Sequence, residues 1–151
     1  MIVKMAEKEK SKDKENKEKK AQELYMQLNM TNQQMQEFQK QTQGLEETIQ
    51  EVTESMRSLD ELGKSEKDKE ILVPLVSGIF VKAELKDIKE FIVNIGAGVA
   101  VAKSLEEVKG LLNKQIVELQ KTQDKMMGEL QQLVVKAKTL EKELKSLMEN
   151  V

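Results

Sequence analysis

The sequence lacks the residue types on which most catalytic and metal sites depend. It contains no cysteine, no histidine and no tryptophan, and aromatic residues make up only 3 % of its 151 residues. Without cysteine and histidine, the chain has no thiolate nucleophile and lacks the commonest general base and metal ligand. So few aromatic residues do not suit an ordinary globular core. We therefore predict no catalytic, cofactor or metal site, and we expect that the protein is not an enzyme.

Charge is abundant but balanced. Acidic residues number 27 and basic residues 25, so that the net charge is only −2. Such a chain produces no field that attracts nucleic acid or an anionic membrane, and we expect neither as a partner. The apolar start of the chain spans only five residues, which is far shorter than the apolar core of a signal peptide or a membrane span. We therefore expect a cytoplasmic protein.

The first 20 residues form a tail that is rich in Lys and Glu. It contains eight Lys and five acidic residues, and nothing apolar recurs between Ala6 and Ala21. A charge run of this kind predicts a solvated, flexible extension. The alternative is an arm that modulates a nearby binding site.

A seven-residue apolar repeat follows, from residue 21 to residue 63. Its a and d positions alternate at intervals of three and four, and ten of these 13 positions are apolar. A repeat of 3.5 residues over six heptads without proline predicts an N-terminal coiled-coil helix. We expect Gly63 to end it in the left-handed conformation. The a and d positions are Ala21, Leu24, Leu28, Thr31, Met35, Phe38, Thr42, Leu45, Ile49, Val52, Met56, Leu59 and Gly63.

Residues 64–103 have the pattern of two β-hairpins. Short β-branched runs are separated by glycine-containing or charged turns. Pro74 cannot donate a ladder hydrogen bond, so the first strand is expected at an edge or beside a bulge. The predicted strands are 71–75, 79–86, 91–95 and 99–103, with turns at 76–78, 87–89 and 96–98.

This small antiparallel sheet cannot stand alone, because apolar residues lie on both of its faces. The helices leave from it and cannot also cover it. We therefore predict an obligate oligomer that assembles through this segment, with other subunits covering the sheet. The predicted oligomerisation residues are Ile71, Val73, Ile79, Val81, Phe91, Val93, Ile95 and Val99.

The second helix is predicted over residues 104–151. Ser104 and Glu107 form a capping box at its start. Its apolar seam has a four-residue stutter near Leu112 and otherwise the same period as the first helix. The predicted fold is therefore α+β: a long antiparallel intrachain coiled coil joined by a small antiparallel β platform of two hairpins. The seam is Leu105, Val108, Leu112, Ile116, Leu119, Gln123, Met126, Leu130, Leu133, Ala137, Leu140, Leu144, Leu147 and Val151.

Apolar residues gather near the free ends of both helices. They are explained either by an over-wide, frayed end of the seam or by a patch that holds another protein's exposed apolar chain. Methionine is unbranched and polarizable and suits promiscuous contact, which favours the second explanation. The predicted client-binding tip comprises Leu24, Tyr25, Met26, Leu28, Met30, Leu140, Leu144, Leu147, Met148 and Val151.

The order of helix, two hairpins and helix resembles the α-class subunit of prefoldin. The resemblance also extends to four sequence segments: ILVPL (71–75), FVKAEL (80–85), IVNIGAG (92–98) and VAKSLEEV (101–108). It covers roughly residues 21–151, and it is most specific in the hairpins and the capping box that follows them.

The resemblance implies a chaperone subunit. Two α-class and four β-class subunits would build a hexameric double β-barrel from which six coiled coils project. Such an assembly holds non-native polypeptides at the coiled-coil tips without ATP and passes them to a group II chaperonin. Subunit contacts would lie in the hairpins and client contacts at the tips. The alternative function is a structural scaffold, because some α-class relatives assemble into filaments.

Overall fold

The computed structural model describes residues 1–86 and 88–150. Along the chain, one long helix precedes two antiparallel hairpins and a second long helix follows them, which confirms the predicted fold class. Asp87 of the predicted second turn and Val151 of the predicted tip lie outside the described residues. The elements are α1 (Ile2–Gly63), β1 (Glu70–Val76), β2 (Ile79–Glu84), β3 (Glu90–Gly96), β4 (Val99–Ser104) and α2 (Leu105–Glu149).

Helix α1 is longer than the sequence pattern predicted. It begins at Ile2 and not at Ala21, so the segment that we expected to be a flexible tail is helical in the structure. The segment has no Gly or Pro and is built from strong helix formers, and Glu15 pairs with Lys19 one turn later at 3.1 Å. All of its side chains are exposed. Helix propensity and local charge pairs therefore account for this part of α1, without a packed face.

The chain forms two compact units, each containing part of both helices. The first unit is Met1–Gly44 with Gln123–Val151, and the second is Leu45–Thr122. In the first unit the helices run antiparallel. Lys17 Nζ donates a hydrogen bond of 3.4 Å to the carbonyl oxygen of Asn150, and Leu24, later in α1, lines a cavity with Lys142, earlier in α2. Ala21 and Leu147 line a common cavity in the same register.

The predicted seam is the buried face of both helices. Every described a and d position of the two repeats is buried or half-buried, whereas Leu111, beside the stutter, is 42 % exposed. The deepest side chain is Thr31, which is 1 % exposed, and its hydroxyl donates to the Gln27 carbonyl at 2.8 Å. The Thr42 hydroxyl likewise donates to the carbonyl of Phe38. These two threonine hydroxyls are thus satisfied within their own helix, which offsets the cost of burying them.

The end of α1 differs from the prediction. Gly63 is the last helical residue and does not have a positive φ, so the expected left-handed termination is wrong. The helix ends in a tight turn in which the Ser65 amide donates to the Leu62 carbonyl at 3.0 Å. A Cβ at residue 63 would lie 2.6 Å from Leu105 Cδ2. The glycine therefore lets the start of α2 approach without displacing the Leu105 side chain.

The two hairpins form separate two-stranded sheets and not the single sheet that we expected. Each strand uses one edge for its hairpin partner, and the described residues show no ladder between β2 and β3. Pro74 lies beside a bulge, because the register shifts between Pro74 and Val76, as predicted. The second hairpin turns at Ala97 and Gly98, both with positive φ, which is the type I′ geometry that matches strand twist.

The capping box at the start of α2 is confirmed. The Glu107 amide donates to Ser104 Oγ at 3.2 Å, and the Ser104 amide donates to Glu107 Oε2 at 3.1 Å. Two amides that have no partner within the helix are thereby satisfied, and two carboxylates in the first turn face the positive end of the helix dipole.

Replacing Ser104 with Ala should lower the free energy of unfolding by about 0.5–2 kcal/mol, because the Glu107 amide loses its acceptor. The measurement is chemical denaturation followed by circular dichroism. Ser55→Ala is the matched control, since Ser55 Oγ only bonds the carbonyl one turn back in mid-helix. Equal stability of the Ser104→Ala variant and the wild type would contradict the cap.

In the second unit, one salt bridge joins the two helices near the hairpins. Lys109 Nζ lies 2.7 Å from Asp60 Oδ1. The hydrogen bond that Lys109 donates to Asp60, followed by the negative charge of Asp60, raises the pKa of Lys109 above the ordinary value of 10.5. A raised lysine pKa means that the folded state favours the protonated amine. The bridge therefore stabilises the fold at neutral pH, and this contribution is lost as pH rises through the raised pKa.

Asp60→Asn should lower the melting temperature at neutral pH, and the difference from wild type should shrink as pH rises above 10.5. Thermal melts between neutral and strongly alkaline pH measure both effects. Glu61→Gln is the control, because Glu61 pairs at 3.9 Å with Arg57, which does not titrate in this range. If the differences from wild type depend on pH identically in both variants, the assignment to Lys109 is wrong.

Candidate functional site

The hairpins present apolar side chains that the chain itself leaves uncovered. Among the predicted oligomerisation residues, Ile71, Phe91 and Val93 are half-buried, and the other five are exposed. Cross-strand pairs such as Val73 with Val81 place their side chains on one face of a hairpin. The five exposed residues are Val73, Ile79, Val81, Ile95 and Val99.

Further exposed apolar residues of the hairpins were not among those predicted. They lie on the opposite pleat or beside the bulges, and alternation along each strand could have identified them. Each two-stranded sheet also has two edges whose backbone groups are free of ladder partners among the described residues. Bare edges next to apolar faces are typical of surfaces that add another chain. The additional residues are Leu72, Leu75, Val76, Phe80 and Ile92.

In the first unit, the structure divides the predicted client-binding tip into two groups. Leu24 and Leu140 are each 7 % exposed and belong to the seam, as do the half-buried Leu28, Leu144 and Leu147. These side chains pack in the seam between the two helices. The exposed members are Tyr25, Met26, Met30 and Met148, with exposed fractions between 58 % and 67 %. They are the members available to another molecule.

The surroundings of Tyr25, Met26 and Met30 are rich in amides and poor in charge. Residues 22–43 contain eight Gln and two Asn but only three charged side chains. A side-chain amide both donates and accepts hydrogen bonds, as a peptide group does. This part of α1 therefore presents exposed apolar side chains among groups that can donate and accept hydrogen bonds, with little charge.

Lysines of α1 surround the C-terminal end of α2. Helix α2 has no basic residue in its own last turn. Lys14 and Lys17 line a cavity with Leu147, Met148 and Asn150, and Lys17 reaches the Asn150 carbonyl. Positive charge is favourable beside the negative end of a helix dipole. The charged first part of α1 therefore stabilises the end of α2, a role that its sequence pattern did not predict.

Comparison with known proteins identifies the family. The prefoldin subunit model matches residues 31–149. The prefoldin α subunit of Thermofilum pendens is 33 % identical over 109 residues, covering 72 % of this chain and 84 % of the relative. That of Methanococcus aeolicus is 32 % identical over 123 residues, covering 82 % and 83 %. The chain therefore belongs to the prefoldin family, whose members are chaperones and not enzymes.

A solved structure shares the fold. The filamentous prefoldin of Methanocaldococcus jannaschii, determined by cryo-electron microscopy, superposes with a TM-score of 0.69 at 20 % identity. The match covers 74 % of this chain and 93 % of that one.

Over residues 1–86 and 88–150, no helix has both the length and the apolarity needed to cross a membrane.

Proposed function

We propose that this chain is the α-class subunit of an ATP-independent holdase that captures non-native polypeptides and delivers them to a group II chaperonin. The observation that carries the proposal is the exposed set Tyr25, Met26, Met30 and Met148, of which the first three lie in a part of α1 with few charges. Exposed apolar side chains normally reduce solubility, and their concentration on one helix pair favours a binding role. Family membership supplies the chaperone class.

The proposed assembly is a cytoplasmic hexamer of two α-class and four β-class subunits joined through the hairpins. Support comes from the exposed apolar pleats and the unpaired strand edges, which a neighbouring hairpin would cover. Each exposed side chain contributes a weak contact. Several helix pairs in one complex would act on one client together, so that avidity replaces a deep pocket.

A second candidate function is a filament-forming scaffold. It is favoured by the fold neighbour that is itself filamentous. Both functions use the hairpin surface. They differ in whether the subunits form a closed complex or an open polymer. Electron microscopy of the chain alone distinguishes them: long polymers support the scaffold, and small particles that enlarge only with a β-class partner support the chaperone.

The triple variant Met26→Gln, Met30→Gln and Met148→Gln should weaken client capture. Glutamine keeps the helix propensity but removes the apolar contact. Because several such sites act together, the concentration needed to suppress aggregation of a denatured client should rise about tenfold. Light scattering with the reconstituted complex measures this concentration.

The control for this test is Leu111→Gln with Val117→Gln, two exposed apolar residues of α2 in the second unit. It should leave suppression unchanged. If the methionine variant and the control behave alike while both assemble normally, the client site lies elsewhere.

Val81→Asp should prevent assembly, because a charge without a partner would enter an apolar contact between subunits. The monomer should still fold, since the side chain is 42 % exposed. Val117→Asp is a matched control with the same substitution and the same exposed fraction. Native mass by light scattering gives the result, and a full-size complex formed by the Val81→Asp chain would exclude this face from the interface.

A further inference from the structure

The seam face of α1 continues past the end of α2. In the antiparallel first unit, Lys17 lies at the level of Asn150, and α2 ends at Glu149. Among the described residues, the part of α1 before Lys17 therefore has no helix opposite it, and all its side chains are exposed. Helix α1 begins at Ile2, so this arm, which comprises residues 2–16, has a length of ~22 Å at ~1.5 Å per residue.

Lysine replaces the aliphatic residues of the seam where α2 ends. Continued from Ala21 toward the N-terminus, the heptad places position d at residues 17 and 10 and position a at residue 14. All three residues are lysines, and we call them the lysine row: Lys10, Lys14 and Lys17. The row spans ~10 Å along one face of the helix, and Glu7, at the preceding a position, ends it.

One end of the lysine row borders a cavity between the two helices. The cavity has a volume of about 300 Å³, and Lys14 and Lys17 form part of its lining. Its apolar lining comes from Ala21, Leu147 and Met148, of which Met148 is largely exposed. The cavity has room for a large apolar side chain of a ligand, and a neighbouring residue of that ligand would then lie at the lysine row.

The ammonium groups of the row are not neutralised by carboxylates. Within residues 1–86 and 88–150, Lys10 and Lys14 form no ion pair or hydrogen bond, whereas Lys19, on the outer face of the same helix, pairs with Glu15. Lys17 donates to a backbone carbonyl at the end of α2. The row therefore presents positive charge that is available to the carboxylates of another molecule.

We propose that the lysine row binds acidic residues of a non-native polypeptide whose adjacent apolar residues occupy the cavity and contact Met148. The proposal rests on the client capture proposed above and names a class of client, in which carboxylates flank an apolar run. Apolar contact supplies part of the affinity, and pairing of carboxylates with the lysines selects among apolar runs.

The charges of the row and of its borders distinguish this occupant from others. A second copy of the arm would place lysine against lysine, and like charges repel. Asp13 and Glu18 lie at positions g and e beside the row, so a densely charged polyanion such as a nucleic acid would also face carboxylates. A few carboxylates in line with the row, next to an apolar side chain, match both the lysines and the cavity.

Lys8 and Lys12 provide a matched control for Lys10 and Lys14. The two residues of each pair are one helical turn apart, and all four are exposed, but Lys8 and Lys12 occupy positions b and f, away from the seam. The double variants Lys10→Gln with Lys14→Gln and Lys8→Gln with Lys12→Gln remove the same charge. Neither variant breaks an ion pair of the described residues. Each is assembled into the full complex.

The probes are two fluorescent peptides with the same apolar run, flanked on both sides by three Asp or by three Asn, and fluorescence anisotropy gives their Kd. The wild-type complex should bind the Asp-flanked peptide about fivefold more tightly, because a few exposed ion pairs each add a little. High salt should reduce this preference. The Lys10 and Lys14 variant should reduce it to about twofold or less, and the control should keep it, with binding of the Asn-flanked peptide unchanged in both.

Equal binding of the two peptides by the wild-type complex would overturn the role of the lysine row and leave the proposed function intact. The same loss of preference in both variants would show that only the net charge of the arm matters, and would overturn the assignment to the seam face. Tighter binding of a single-stranded oligonucleotide than of the Asp-flanked peptide would overturn the client assignment. No binding of either peptide, with no suppression of the aggregation of a denatured client, would overturn the proposed function itself.

Discussion

The burial of a narrow apolar seam between two helices is the constraint on which the rest of the structure depends. Only a and d positions are needed to pair the helices, and they contain mostly aliphatic side chains and methionine. A two-helix coiled coil has no second layer that could cover other apolar residues. Any apolar side chain outside a and d is therefore at least partly exposed to solvent or to a partner, and each one is informative about binding.

The surface of the first unit follows from this constraint. Seam residues such as Leu24 and Leu140 are unavailable because they hold the helices together. Residues one or two positions away from the seam residues in sequence, such as Tyr25 and Met148, are mostly exposed although they lie at the same height along the helix pair. The heptad position, and not the distance from the end of the helix, thus separates the buried seam residues from the exposed residues. On this basis Met127 and Val135 belong with the exposed group.

Much of the fold could be predicted because its determinants are local in sequence. The heptad spacing identified the seam, alternation and glycine identified the hairpins, and Ser104 with Glu107 identified the cap. The helical state of residues 2–20 was missed because the argument relied on apolar periodicity, whereas this segment is helical through propensity and charge pairs. The role of Gly63 depends on Leu105, 42 residues later, which no local pattern reveals.

The candidate surfaces were harder to predict, since exposure depends on what the chain fails to cover. The hairpins and the helices expose apolar groups in different ways, and the difference bears on function. Strand edges offer backbone groups in fixed positions, so a partner must supply a strand in register, which favours defined subunit assembly. Flexible methionines beside neutral amides impose no register and no charge pattern, which favours variable chains. Under the proposed function, one chain would thus combine a hairpin surface that selects its partner with a helix surface that does not, and the seam would fix the positions of the second.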